Sequence, residues 1–352
     1  MGQAERWTAA WLDWRRVAYA LVLWKLIYLG SVGVALTLWG DMEEARFQGM
    51  MMHWPREGGP VFASHFATWD GAHYLYLSEA GYGPGVRSNA FYPMYPLLVR
   101  WTGNLTGGNH LIAGLALANM FSLIGWVLFY EIARRRFGQE TALWGTVFLV
   151  LFPGALFYQF IYTEGLFFLL AMLVWMGLER RCYGWVWAGA VLLPMTRAVG
   201  LFCLLPIAWH VVTHRPLGRM KRLGTERWDS QPEREAARDV AVRQVSILSQ
   251  YGLLLAPLAG WAVYLGLMWH WTGDPFDGFA AQRYWATHSI WNLVNVPKFV
   301  MSLLCPTDWH AYAGSLLDRC LFVVLLYALP VIWRLGKDKV IWLYVLGIMP
   351  AM

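Results

Sequence analysis

Apolar residues in this chain fall into long unbroken blocks separated by short polar stretches, with none of the alternating stripes of a water-soluble domain. Several blocks approach the ~20 residues that cross about 30 Å of hydrocarbon. They predict membrane helices at about 17–40, 111–132, 141–161, 165–178, 183–196, 198–213, 246–270 and 316–333. A last apolar run from Val340 reaches Met352 before a crossing is complete. The first block is too long for a signal h-region and lacks a small-residue cleavage site, so it reads as a membrane helix and not as a cleaved leader. The expected fold is an all-α polytopic membrane bundle of about nine helices, built as a single domain over residues 1–352.

Flanking charge orients the bundle. Arg15 and Arg16, Arg134 to Arg136, Arg180 and Arg181, the group Arg215, Arg219, Lys221 and Arg222, and Arg334, Lys337 and Lys339 all fall at ends that alternation assigns to one side. The positive-inside rule makes that side cytoplasmic. Residues 41–109 and the Trp-rich 271–315 then lie outside, and the charged 214–245 inside. Composition agrees: 58% of the residues are hydrophobic and only 14% charged, against about 25% charged in soluble domains.

The net charge of +6 does not point to nucleic acid, because the basic residues sit in short loops beside apolar blocks. Cys182, Cys203, Cys305 and Cys320 form no CxxC pair, so no zinc or redox motif is expected; whether Cys305 and Cys320 pair stays open. The chain has no P-loop, GxGxxG, HExxH or nucleophile elbow, which argues against a soluble nucleotide-sugar or dinucleotide domain.

This map puts Asp70, His73, Glu79, Glu164, Arg197, Asp274 and Arg283 at one face, although they are far apart in sequence. Ionisable groups at membrane depth cost free energy unless they pair or face water, so a shared polar cavity is expected there. Asp70 is either a general base or the N-cap of a helix beginning near Gly71. Glu79 reads as a solvated helix-face residue, and His73 as structural or functional. Tyr92, in the run Phe91-Tyr92-Pro93-Met94-Tyr95-Pro96, is an interfacial anchor or part of a sugar or lipid site. Glu164 either opens a helix, where a carboxylate suits the dipole, or partners Arg197. Arg197 needs an anion, a phosphate or one of these carboxylates. Gln282 and Arg283 follow an Asp274-Pro275 turn and are candidates for contact with a lipid phosphate or a sugar.

Four stretches together resemble the PIG-V family, the second mannosyltransferase of GPI-anchor assembly with its bacterial relatives, among the GT-C membrane glycosyltransferases. They are TWDGAHYLYLSEAGYG with NAFYPMYPLLVRW, then PGALFYQFIYTEGLFFLL, MTRAVGL and WTGDPFDGFAAQRYW, running from about residue 65 to 285. The resemblance implies a GT-C-like fold with a large extracytoplasmic first loop. It also implies transfer of mannose, or a related sugar, from a polyprenyl- or dolichyl-phosphate donor to a hydroxyl of a lipid or glycan acceptor, with inversion. Asp70 takes the position of the family's catalytic carboxylate. His73, Tyr92, Glu164, Arg197, Gln282 and Arg283 are then expected at the substrates, with no metal or other cofactor. The expected location is a bacterial plasma membrane, or the endoplasmic reticulum membrane in a eukaryote, with the site extracytoplasmic. A non-catalytic lipid-binding or transport protein, or a scaffold subunit of a glycosylation complex, is the competing reading.

Overall fold

The computed structural model describes residues 3–39, 54–55, 62–67, 69–213 and 251–284, with isolated positions Val323, Tyr327, Pro330 and Arg334. The predicted span at 316–333, the charged 214–245 stretch, most of 271–315, and Cys305 and Cys320 lie outside these residues or touch them only in part. Among the described residues every regular element is helical. The α-helices are α1 (Gln3–Trp39), α2 (Asp70–Ala80), α3 (Met94–Leu105), α4 (His110–Phe137), α5 (Gln139–Leu151), α6 (Glu164–Arg180), α7 (Tyr183–Thr196), α8 (Leu204–Thr213), α9 (Leu255–Thr272) and the short α10 (Asp277–Ala281). Short 3-10 turns fill Phe62–Ala67, Arg87–Ala90, Pro153–Tyr158 and Ala198–Cys203.

Among the described residues two stretches are long and apolar enough to cross a membrane, Trp14–Leu38 and His110–Phe137. The first is attached by a narrow stripe. Leu21 and Lys25, one turn apart, are buried, while Leu23, Leu26, Ile27, Val34 and Leu38 are exposed.

The bundle is assembled through glycines on facing helices. A Cβ on Gly165 would lie 2.8 Å from the Ala118 carbonyl and 3.2 Å from the Ser122 amide, so α6 meets α4 backbone to backbone. Gly125 repeats this one level along, against Phe168 and Leu169. The far ends are joined by the Arg136–Glu179 ion pair at 2.5 Å, so α4 and α6 run parallel. Helix α7 returns antiparallel to α6, with Gly177 on Val186 and Gly189 on Val174 and Leu170, and α9 seats Gly260 against Val191. Replacing Gly165 by Ala is expected to push α6 off α4 and destabilise the protein by about 1–3 kcal/mol. A Tm unchanged in that variant would contradict the close approach.

The limits of helices α6 and α7 lie close to those of the apolar blocks at 165–178 and 183–196. The span predicted at 141–161 does not form one helix: α5 ends at Leu151, and a 3-10 turn follows from Pro153. The cause is Pro153, which has no amide hydrogen and forces Phe152 into extended backbone (φ −59°, ψ 135°). The chain then crosses as a strap to Glu164, which opens α6. Since Gly165 rests on Ala118, eight residues into α4, that opening lies roughly 12 Å below the His110 end of α4. Residues 41–109 are also more than a loop, because α2 and α3 pack on each other and on α4.

Candidate active site

Asp70 is the first residue of α2, and its orientation begins with Trp69. This non-glycine residue has φ 56° and ψ −124°, in the region that favours glycine. Backbone strain of this kind costs ~1–3 kcal/mol and clusters at functional sites. Trp69 occupies the N-cap position without a side-chain cap bond, and the Ala72 amide donates to the Trp69 carbonyl at 3.1 Å. The capping alternative for Asp70 is therefore not what the structure forms: its carboxylate makes no hydrogen bond or ion pair among the described residues. The Tyr162 hydroxyl hydrogen-bonds the Asp70 backbone.

Glu164, the first residue of α6, and Arg197, in the extended link after α7, form an ion pair with Nη1 to Oε1 at 2.5 Å. Arg197 Nη1 also lies 3.4 Å from Thr163 Oγ1. The other oxygen, Glu164 Oε2, is buried with no hydrogen-bond partner among the described residues. Tyr74, one turn beyond Asp70 on α2, shares a 3.3 Å hydrogen bond with Thr163 Oγ1. Its ring packs edge-on to Phe91, Tyr95 and Tyr162.

The Asp70 carboxyl feels both members of the pair. Burial pushes its pKa up to about 6 from the usual carboxylate value near 3.8; the Glu164 charge raises it further, and Arg197 opposes both. The Glu164 carboxylate, at the start of α6, and the Arg197 guanidinium thus act on a carboxylate whose titration lies close to neutrality, the range in which a general base works best.

The other sequence candidates occupy a second layer. His73 is fully buried, shares a 2.7 Å hydrogen bond between Nδ1 and Ser88 Oγ, and stacks on Phe91 at 4.7 Å. Tyr92 stacks on Tyr264 of α9 at 4.6 Å and hydrogen-bonds it. Gln282 Nε2 donates to the Ala90 carbonyl at 3.0 Å, and Asn89 Nδ2 donates to Asp277, so the segment after α9 is tied to the turn above His73. Arg283 is exposed and turns to Tyr284, its guanidinium 5.0 Å from that ring.

Two members of the expected shared cavity have local duties. Glu79 accepts from Trp54 Nε1 at 2.9 Å, and so is not merely solvated. Asp274 Oδ1 accepts from the Phe276 amide at 2.8 Å and shapes its own turn. Of the seven ionisable residues expected to share one cavity, Asp70, Glu164 and Arg197 are the three that act on one another, with Tyr74 and Thr163 beside them. Among the described residues no group of three or more His, Cys, Asp and Glu side chains gathers as a metal site would.

Tyr74 and Lys25 were not singled out from the sequence. The signal for Tyr74 was its four-residue spacing from Asp70. For Lys25 it was a charge alone within an apolar run, VLWKLIY.

No curated protein and no solved structure matches the chain. Residues 60–222, the segment that carries Asp70, Tyr74, Glu164 and Arg197, match the family model described as Mannosyltransferase (PIG-V), the family that the sequence motifs resemble.

Proposed function

We propose that this chain transfers mannose, or a closely related sugar, from a polyprenyl- or dolichyl-phosphate donor to a hydroxyl of a lipid or glycan acceptor, at the extracytoplasmic face of a multi-pass membrane protein. The observation that carries this reading is the Asp70 carboxylate, without a hydrogen bond or ion pair among the described residues, within electrostatic reach of the Arg197–Glu164 ion pair. In the proposed step Asp70 accepts the proton of the acceptor hydroxyl, and the acceptor oxygen forms a bond to the sugar's anomeric carbon. The bond from that carbon to the phosphate oxygen breaks, and its electron pair leaves with the lipid phosphate. Arg197, with two-pronged donors suited to phosphate, stabilises that departing charge. Glu164 holds the guanidinium through Oε1. A single displacement of this kind inverts the anomeric centre. Metal is not needed for charge neutralisation in this scheme, because the guanidinium supplies the cation.

The test uses the purified full chain in lipid nanodiscs with radiolabelled polyprenyl-phosphate-mannose, a panel of lipid and glycan acceptors, and EDTA. Transfer that persists in EDTA and yields the inverted linkage supports the reading. Transfer that EDTA abolishes would overturn the metal-independent scheme, and no transfer to any acceptor would shift weight to lipid binding or a scaffold role. The rate should also follow the Asp70 base. With its pKa near 6, kcat/KM is expected to fall about tenfold per pH unit below that value and to level off above it. A profile flat from pH 4.5 to 7 would remove Asp70 as the base.

A further inference from the structure

Lys25 lies inside the apolar Trp14–Leu38 stretch of α1 and is only 5% exposed. Its ammonium is surrounded by neutral acceptors: Ser122 Oγ at 2.8 Å, Gln159 Oε1 at 3.0 Å, Asn119 Oδ1 at 3.1 Å and the Tyr158 carbonyl at 3.3 Å. The Trp126 ring closes the last side, with Nζ 4.2 Å from its centroid. No carboxylate is among these partners. A charge in such surroundings is costly, and an apolar residue would serve the contact of α1 with α4 without it. The reason for a lysine must therefore lie in what it grips.

It grips the strap that precedes α6. Pro153 denies this strap a continuous helical ladder, so it depends on contacts from outside. Besides Lys25 these come from α4: Asn119 Nδ2 donates to the Gln159 carbonyl at 2.8 Å, and Ser122 Oγ lies 2.8 Å from the Tyr158 carbonyl. Ser122 and Ala118 form the surface on which Gly165 rests. Tyr162, Thr163 and Glu164 lie between the gripped residues and that glycine.

We infer that Lys25 is a positioning residue: by pinning the Tyr158–Gln159 strap to α4 it fixes Glu164, and through Glu164 the Arg197 guanidinium, opposite Asp70. The catalytic consequence rests on the transferase reading; the mechanical claim does not. Amide hydrogen exchange of the full chain in nanodiscs therefore tests it first, comparing wild type, Lys25→Met and Lys25→Arg. Lys25→Met is expected to raise exchange about tenfold over residues 159–165 and to leave α7 and α9 unchanged. Lys25→Arg, which keeps the charge and donors, should restore much of the protection. In the mannose-transfer assay Lys25→Met should lower kcat about tenfold with donor KM changed by less than about twofold. Unaltered exchange over 159–165, or a rise spread evenly over all helices, would overturn the proposal. Should Lys25→Met not fold, Gln159→Leu removes one of the four acceptors and is expected to loosen the same residues to a smaller degree; no change in that variant would equally overturn it. A strap that loosens in a protein whose wild type transfers no sugar would support the positioning role and sink the transferase reading instead.

Discussion

Asp70→Asn is expected to lower mannose transfer by about 10²–10⁴-fold, the usual loss with a general base, while making the protein more resistant to heat. The two effects have one origin. In the folded protein the Asp70 carboxyl titrates near 6, against an ordinary value of 3.8, because it is desolvated and lies beside Glu164. A raised carboxyl pKa means that the folded state binds the proton more tightly than the unfolded chain does. Ionised Asp70 therefore costs stability: nothing below about pH 4, increasingly from there to pH 6, and fully above. Asp70 is half-buried, so solvent screens part of this cost and leaves about 1 kcal/mol. An amide removes it, and the Tm at pH 7.5 should rise by about 1–2 °C. At pH 4 the two proteins should melt together. A fall in Tm with activity retained would return Asp70 to a structural role.

How far the sequence reaches can be seen at particular residues. The limits of α6 and α7 were legible because Arg180–Arg181 and Arg197 bound apolar blocks of helical length. The break after Leu151 was not, because Pro153 and Gly154 lie within a run that stays apolar through Tyr162 but for Gln159, and hydropathy does not register a missing amide hydrogen. Flanking charge gave the expected depth of Glu79, Asp274 and Arg283 but not their direction around the bundle. That direction is set by which helix faces are bare of side chains, as at Gly165 and Gly260. Lys25 escaped for a related reason: within an apolar block one lysine lowers the mean hydropathy only slightly, and its four acceptors come from segments about 95 to 135 positions away.

The Arg197–Glu164 pair offers the second large effect, and a double-mutant cycle separates its structural from its chemical part. Arg197→Met leaves a carboxylate at the opening of α6 with one oxygen already buried and unpartnered. Both side chains keep some solvent contact, 35% and 23%, so the expected loss is about 1–3 kcal/mol, below that of a fully buried pair. Transfer should fall about 10²–10³-fold, as when a principal donor to a developing anion is removed. Glu164→Gln keeps an acceptor for the guanidinium and should cost less in both respects. Adding Glu164→Gln to Arg197→Met removes the unpaired charge, so stability is expected to return to within about 1 kcal/mol of wild type. Activity should not return, because no cation then faces the lipid phosphate. If the double variant regains transfer together with stability, Arg197 serves only to neutralise Glu164, and the charge that receives the leaving phosphate must come from another group. If stability returns and transfer does not, the guanidinium acts on the substrate, with Glu164 as its holder and Asp70 as the base across from it.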